Sequence, residues 1–316
     1  MNKLETVIGK IKLRNPVLCA SGCFGYGYEA ARFTTVSKIG AVSYKTFTPN
    51  PKNGNPPPRI HEVPAGVMTS IGLQNPGYEV FVNDIYPKSL DTLRPDQRIV
   101  SIAGDSAEEY VALAVKLSEI LSSAEIAALE VNAACPNVSL GGVAFASRPS
   151  ELNALLKDII KRVPFPVIAK FTTLYDNYCD AAKAIEDAGA QAVYTANTPI
   201  GMAIDVERGL PVMGNLKAPI SGPAIRPIGV CRTWDIYKSV KIPIIASGGI
   251  ICCRDALEYM MAGASAVSIG CANFAEPNTA VAVTEGLASY VNTKKLSNIS
   301  EIVGLAHKNS AAPHSK

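Results

Sequence analysis

A thiol between two carboxamides is the feature of this sequence with the clearest chemical potential. It lies in residues 132–137, which read Asn-Ala-Ala-Cys-Pro-Asn and follow an apolar run, 127–131, typical of a buried parallel strand. The proline lacks an N–H and ends such a strand, which would leave Cys135 at the start of a loop. Cys135 could act there as an acid–base or nucleophilic group, with Asn132 and Asn137 binding a polar ligand. A buried structural cysteine is the alternative interpretation.

Two lysines occupy equivalent places in the pattern. Lys45 and Lys170 each end an apolar, strand-like run. An unpaired lysine is costly to bury, so two at such positions predict an anionic ligand. Lysines that reach solvent at the rim are the alternative.

Glycines after the last two apolar runs predict a phosphate site. Gly248 and Gly249 follow one run, and Gly270 with Cys271 follows the other. Backbone N–H groups can approach an anion closely at such positions, and Gly222 could supply a third donor. Tight turns without a ligand would produce the same pattern.

The elements that position these groups alternate between apolar strands and amphipathic helices. Eight strands are predicted, at 16–20, 41–45, 99–103, 127–131, 167–171, 192–196, 242–246 and 266–269. Helices are predicted between them, at 107–121, 150–162, 180–188, 228–239 and 254–261. Eight such units predict an α/β fold of the (β/α)₈ TIM-barrel type with a parallel eight-stranded sheet, whose catalytic face lies at the carboxyl ends of the strands. A doubly wound sheet is the alternative, disfavoured because no GxGxxG motif follows the first strand.

Two long connections, 47–75 and 198–223, leave the same end of the strands as insertions and are expected to form a lid or a small side sheet. A single barrel domain is expected over 1–305, with a frayed tail at 306–316.

Composition excludes several classes of protein. A net charge of +3 without a basic block argues against nucleic-acid binding, and no apolar run is long enough to span a membrane. Eight cysteines without paired CxxC motifs, and no signal-peptide core, indicate a cytoplasmic protein. Three histidines, two of them near the C-terminus, make a histidine triad or metal site unexpected.

Phosphate-binding glycines and two lysines fit two ligands. One is a sugar phosphate, with Lys170 forming a Schiff base in a lyase. The other is FMN, with a lysine placing positive charge where the reduced flavin becomes anionic. Cys135 favours FMN, since a dehydrogenase that removes hydrogens from adjacent carbons needs a base opposite the flavin.

Over nearly its whole length, from residue 15 to about 307, the sequence resembles the class 1 dihydroorotate dehydrogenases. The matching segments are Ala-Ser-Gly-Cys-Phe-Gly at 20–25, Gly-Asn-Pro-Pro-Pro-Arg at 54–59, Ile-Gly-Leu-Gln-Asn-Pro-Gly at 71–77, Cys-Pro-Asn-Val at 135–138, Ser-Gly-Pro-Ala-Ile at 221–225 and Ala-Gly-Ala-Ser-Ala-Val at 262–267. The Ser-Gly-Cys-Phe-Gly stretch and Gly-Gly-Val-Ala-Phe at 141–145 are most similar to the class 1B catalytic subunit.

The resemblance implies FMN-dependent oxidation of dihydroorotate to orotate in pyrimidine biosynthesis. Cys135 would be the base at C5, hydride would pass from C6 to flavin N5, and Lys45 and Lys170 would complete the catalytic set. Residues implied to bind FMN are Ser21, Lys45, Thr46, Ser101, Asn132, Lys170, Ala196, Gly222, Gly248, Gly249, Gly270 and Cys271. Residues implied to bind the substrate are Lys45, Thr69, Gly72, Leu73, Asn132, Asn137, Asn197 and Thr198.

Several positions depart from the family pattern. Thr69 stands where the family usually has Asn, and Ala134 replaces the usual Ser before the thiol. Ser101 and Cys271 also differ, and 171–174 lacks the usual Pro-Asn pair. Loss of a carboxamide contact could cost about 1–3 kcal/mol of binding, so an FMN oxidoreductase acting on a different small cyclic substrate is an alternative.

The resemblance leaves two expectations for partners. A class 1B chain would form a heterotetramer with a subunit carrying FAD and an iron–sulfur cluster, and would pass electrons to NAD. A class 1A chain would work alone as a homodimer with fumarate. A catalytically silent binding subunit is a further alternative.

Overall fold

Parallel strands that close on themselves dominate the computed structural model, which describes residues 2–134, 145 and 147–311. The described strands are β1 Thr6–Ile8, β2 Ile11–Leu13, β3 Val17–Cys19, β4 Ala41–Ser43, β5 Ile60–Val63, β6 Gly66–Thr69, β7 Arg98–Ile102, β8 Ala128–Ala133, β9 Val167–Thr172, β10 Ala192–Ala196, β11 Ile200–Gly201, β12 Ile204–Asp205, β13 Leu210–Pro211, β14 Ala218–Ser221, β15 Ile244–Ser247 and β16 Ala266–Ile269.

The barrel runs in the order β3-β4-β7-β8-β9-β10-β15-β16, and β16 pairs with β3 to close it. All eight pairings are parallel. Each predicted strand overlaps one of these, so the predicted (β/α)₈ barrel is confirmed and the doubly wound sheet is wrong. The strands could be read from the sequence because both of their faces are buried, which makes them apolar along their length.

Helices cover the outside of the barrel. The described α-helices are α1 Tyr78–Val80, α2 Tyr86–Leu90, α3 Ala107–Ser118, α4 Pro149–Arg162, α5 Tyr178–Asp187, α6 Arg226–Ser239, α7 Cys253–Met261, α8 Ala272–Ala275, α9 Thr279–Thr293 and α10 Leu305–Ala311. Helices α3 to α7 correspond to the five predicted ones. Within the described residues, none of the helices is long and apolar enough to cross a membrane.

The expectation of a frayed tail fails for the part of it that the structure describes. Residues 305–311 form α10, and the His307 ring stacks on Trp234 of α6 with a centroid distance of 3.5 Å. The His307 Nε2 also lies 2.9 Å from the carbonyl oxygen of Ala262. The His307 ring also contacts Tyr237, so this polar segment packs on α6 through aromatic contacts that composition did not reveal.

The amino-terminal end of the barrel is closed by the β1–β2 hairpin. Apolar hairpin residues join the inward-facing residues at the start of the strands in one buried cluster, which includes Ile8, Ile11, Leu13, Leu18, Ile99, Ala128, Ile168 and Ile245. This end of the interior is therefore a packed apolar core and contributes stability rather than chemistry.

The two long connections form the expected side sheet at the other end. Strands β5 and β6 of the first connection join β14 and β11 of the second in a four-stranded antiparallel sheet. Met68, Met213 and Ala218 form its small core. The sheet brings residues 69–73 to the edge of the barrel mouth.

Candidate active site

A cleft at the carboxyl ends of the barrel strands collects most of the residues expected from the sequence. Its wall includes Ser21, Lys45, Thr46, Thr69, Gly72, Leu73, Asn132, Lys170, Ala196, Thr198, Gly248, Gly249, Gly270 and Cys271. Cys23 and Ala134 also line it. Residues from both long connections and from seven of the barrel strand ends or the loops after them thus meet at one place.

Not all of the expected residues belong to the described wall of the cleft. Cys135 and Asn137 lie outside the described residues. Ser101 is fully buried and lies behind the wall residue Thr46, whose hydroxyl lies 2.7 Å from its own. Gly222 is not part of the wall, although its neighbour Ser221 is.

The Asn197 side chain also lies behind the wall. It is fully buried; its Oδ1 accepts a 2.6 Å hydrogen bond from Thr173, and its Nδ2 donates to the carbonyl oxygen of Ser247 at 2.6 Å. In this structure the carboxamide therefore braces the loop after β15 rather than facing the cleft.

One hydrogen-bond network connects the polar floor of the cleft. Strand register places Asn132 of β8 beside Lys170 of β9, so both side chains point inward at the same level. Lys170 Nζ donates to the Ser21 hydroxyl at 2.8 Å. The Asn132 Nδ2 donates to the Thr46 hydroxyl at 2.9 Å.

Glu130 lies at the centre of this network, and the sequence reading missed it. Its carboxylate is fully buried, and Oε1 accepts hydrogen bonds from Ser21 at 2.9 Å and Ser101 at 2.7 Å. Oε2 has no hydrogen-bond partner among the described residues. The available signal was the two-residue period of β8, which puts Glu130 on the same inward face as Asn132.

The Lys170 ammonium is held from three sides. Besides Ser21, it lies 3.9 Å from Glu130 Oε1 and 4.7 Å from the centre of the Tyr194 ring. The side chain is 11% exposed, so its charge acts in a poorly solvated environment. Lys45 follows β4 at the same end of the barrel, and its Nζ lies 3.8 Å from a Cβ built at Gly22.

Two thiols in the wall do not ionise near neutral pH. Burial raises the pKa of Cys23 to about 11, although the nearby Lys170 and Lys45 ammonium groups oppose the rise. Burial also raises the pKa of Cys271. Neither described thiol is therefore suited to act as a base in place of Cys135.

The glycines after β15 form a tight cradle. Gly249 has a φ of +71°, and a Cβ there would lie 2.7 Å from the carbonyl oxygen of Gly222 and 2.9 Å from Arg226. Gly248 has a φ of +118°. Only glycine allows the loop to fold this close to the start of α6, which keeps backbone N–H groups available to an anion.

A buried carboxylate holds the same loop from behind. Asp255 of α7 accepts the backbone N–H groups of Ile251 at 2.9 Å and Cys252 at 3.1 Å through Oδ2. Its Oδ1 pairs with the Arg226 guanidinium. The cradle is thus rigid before any ligand binds, which lowers the entropic cost of binding.

The sequence also matches that of a known protein family. The dihydroorotate dehydrogenase family model matches residues 3–291. The chain belongs to the dihydroorotate dehydrogenase family.

Curated relatives of this family match almost end to end. The dihydroorotate dehydrogenase B (NAD(+)) catalytic subunit of Desulforudis audaxviator is 44% identical over 306 residues, covering 97% of this chain and 98% of that one. The corresponding subunit of Thermoanaerobacter pseudethanolicus is 42% identical, covering 95% and 98%. The crystal structure of DHODH in complex with ferulenol from Eimeria tenella has a TM-score of 0.78 at 21% identity, covering 98% and 89%, and supports the fold.

Dihydroorotate dehydrogenases use a flavin, and the cleft suits one. The glycine cradle suits a phosphate, because two successive glycines with positive φ leave the backbone N–H groups of the loop uncovered by side chains. The buried Lys170 ammonium provides positive charge for an electron-rich ring edge. Within the described ranges no group of three His, Cys, Asp or Glu side chains could hold a metal ion.

Proposed function

We propose that this chain binds FMN and oxidises dihydroorotate to orotate. The observation that carries the proposal is the meeting, in one cleft of a dihydroorotate dehydrogenase family member, of a glycine cradle and a buried lysine. The two features lie on different strands, as a long cofactor with a phosphate at one end requires.

Each part of the cleft has a role in this proposal. The cradle of Gly248, Gly249 and Gly270 binds the phosphate through backbone N–H groups. Lys170 stabilises negative charge at the N1–O2 edge of the ring system, and Asn132 binds the polar ring atoms of flavin or substrate. When bound, FMN supplies a hydride acceptor at N5 for the hydrogen on C6 of dihydroorotate.

Proton removal is assigned to Cys135, which would take the proton from C5 of dihydroorotate. Among the described residues, Cys23 and Cys271 are the thiols in the cleft wall, and both have raised pKa values. On the substrate side, Lys45 pairs with the carboxylate, while Thr69 of the side sheet and Leu73 of the loop after it cover the ring.

A second subunit is part of the proposal. Relatives at 42–44% identity over nearly the full length are named catalytic subunits of an NAD(+)-linked enzyme. This sequence has neither an NAD fingerprint nor cluster-forming cysteine spacing. We therefore propose that electrons leave through a partner that carries FAD and an iron–sulfur cluster, within a cytoplasmic heterotetramer built on a homodimer of this chain.

Anaerobic mixing with dihydroorotate tests the activity. The purified protein should show a flavin spectrum that bleaches rapidly and stoichiometrically on addition of dihydroorotate. Protein without FMN would contradict the proposal and favour a Schiff-base lyase, which borohydride trapping at Lys170 would reveal. Bound FMN that dihydroorotate does not reduce would indicate a different cyclic substrate, consistent with Thr69 and Ala134 in the cleft wall.

The Cys135→Ser variant tests the base assignment. It should retain FMN and lose most turnover near neutral pH, because serine is a much weaker acid than cysteine. Full activity in this variant would overturn the assignment. Copurification with a cysteine-rich flavoprotein tests the partner, whereas turnover by the isolated chain with fumarate would contradict it.

A further inference from the structure

We infer that Glu130 is a positioning residue that fixes the Lys170 ammonium and partly neutralises its charge, and thereby sets the reduction potential of the flavin. The inference rests on the proposed binding of FMN. It assigns a role to the one carboxylate in the floor of the described cleft, for which the reaction itself needs no acid.

Ser21 forms a hydrogen-bond relay between Lys170 and Glu130. The Ser21 hydroxyl accepts a hydrogen bond from Lys170 Nζ at 2.8 Å and donates to Glu130 Oε1 at 2.9 Å. The direct Nζ–Oε1 distance is 3.9 Å, so Ser21 holds the two charges at a fixed separation. A direct ion pair without this hydroxyl would draw Nζ downward, away from the cleft.

The burial of Glu130 strengthens its electrostatic effect on Lys170. Glu130 is fully buried, and only one of its two carboxylate oxygens has hydrogen-bond partners among the described residues. Burying a carboxylate is costly because it loses its hydration, and an apolar residue could fill the same space without that cost. The cost is explained if the carboxylate acts on Lys170, because a charge 3.9 Å away in a poorly solvated interior has a large effect.

The network also extends to the other side of the cleft. Ser101 donates to the same Glu130 oxygen at 2.7 Å, and its hydroxyl lies 2.7 Å from that of Thr46. Thr46 in turn accepts from Asn132. A single carboxylate thus orients the hydroxyl and amide groups on both sides of Lys170.

The test is the two-electron midpoint potential of FMN-loaded protein, measured by anaerobic titration against a reference dye. Glu130→Gln keeps an oxygen for Ser21 and Ser101 but removes the negative charge. The Lys170 ammonium then stabilises reduced flavin more strongly, and we expect the reduction equilibrium to shift about tenfold toward reduced flavin, a rise of about 30 mV. An unchanged potential in a folded variant with normal FMN affinity would overturn the inference.

Ser21→Ala provides a change of opposite sign. Without the bridging hydroxyl the ammonium moves toward Glu130, so the potential should fall. The double variant Ser21→Ala/Glu130→Gln separates this mechanism from direct contact of Ser21 with FMN, because the fall should vanish when the carboxylate is absent. A fall of the same size in the double variant would contradict the relay.

Ser101→Ala is the alternative test of the reduction potential if the Glu130→Gln variant does not fold. It removes a donor from Glu130 without removing any contact to Lys170, so the carboxylate opposes the ammonium more strongly and the reduction equilibrium should shift severalfold toward oxidised flavin. No shift would count against the inference. Wild-type protein without FMN would instead refute the proposed function, so the two failures are distinguishable.

Discussion

The two ends of the barrel interior are built from the same strands yet have opposite chemistry. At the amino-terminal end, Ile99, Ala128 and Ile168 belong to one buried apolar cluster. Two residues further along the same three strands come Ser101, Glu130 and Lys170, which are buried. Ser101 donates a hydrogen bond to Glu130, and Lys170 is linked to Glu130 through the Ser21 hydroxyl. Because side chains alternate across a strand, a step of two keeps the inward face and changes only the depth.

This contrast separates stability from function along each strand. The apolar layer is sealed by the hairpin of β1 and β2, so water is excluded from one end. The polar layer opens into the cleft, and its groups pair with each other until a ligand arrives. Substitutions two residues apart should therefore differ in whether they lower stability or impair the chemistry of the cleft.

Loss of Lys170 should be the most damaging change in the polar layer. In Lys170→Met the rate of flavin reduction by dihydroorotate should fall about 10³-fold, since removal of one preorganised charge typically costs ~4 kcal/mol. Stability should fall too, because Glu130 loses its nearest cation, which lies 3.9 Å away. Rates are measured by anaerobic stopped flow and stability by urea unfolding.

Adding Glu130→Gln to the Lys170→Met variant provides the control. The second change should recover stability without recovering the rate, because it removes the orphaned charge but does not restore the ammonium. If the losses of stability from the two substitutions simply add in the double variant, the two residues act independently. The polar layer would then not be coupled and would behave like the apolar core.

Ile168→Ala should be the converse change, two residues earlier on β9. It removes three carbons from the fully packed layer, where such truncations cost about 3 kcal/mol of unfolding free energy. The dissociation constant for FMN should stay within about twofold of wild type, because the cavity forms at the sealed end. A large loss of FMN affinity with little loss of stability would contradict the separation of the two layers.

Gly249→Ala should weaken FMN binding without unfolding the barrel. The added Cβ would lie 2.7 Å from the carbonyl oxygen of Gly222, and φ is +71°. Strain of this kind costs about 2 kcal/mol. A free loop can relieve it by shifting away from Gly222, but FMN binding restores the tight conformation, so we expect roughly 30-fold weaker binding by fluorescence titration.

Gly189→Ala is the matched control at the opposite end of the barrel. Gly189 also has a positive φ, +89°, but no atom lies within 4 Å of a Cβ built there. This variant should lose some stability and keep its FMN affinity. Equal loss of FMN affinity in both variants would show that the cradle is not specific to the phosphate end.

The same contrast explains what the sequence could and could not predict. The eight strands and the groups at their ends were predictable, because apolar runs with polar termini mark a barrel and its mouth. Glu130 was not, because a single acid inside an apolar strand has no local signal for its partners, which come from β3 and β7. The position of Asn197 was also missed, since only tertiary packing decides whether a strand-end carboxamide faces the cleft or braces a loop.

The smallest effect concerns Cys23, a thiol in the cleft wall, whereas the described apolar layer contains no thiol. Its pKa rises from 9.0 to about 11 on folding, mainly through burial, so the folded state holds this proton more tightly than the unfolded chain. The associated stability is present below pH 9 and is lost as the pH rises toward 11.

The Cys23→Ser variant lacks this titration. Its free energy of unfolding relative to that of wild type, measured by urea unfolding, should therefore increase by about 1 kcal/mol between pH 8 and pH 11. Solvent screening in the cleft keeps this value below that for a fully enclosed group. The deficit of Ile168→Ala should be the same at both pH values, because a methyl-lined cavity does not titrate. A difference between wild type and Cys23→Ser that does not change with pH would show that the thiol ionises as readily in the folded protein as in the unfolded chain, and would contradict the raised pKa.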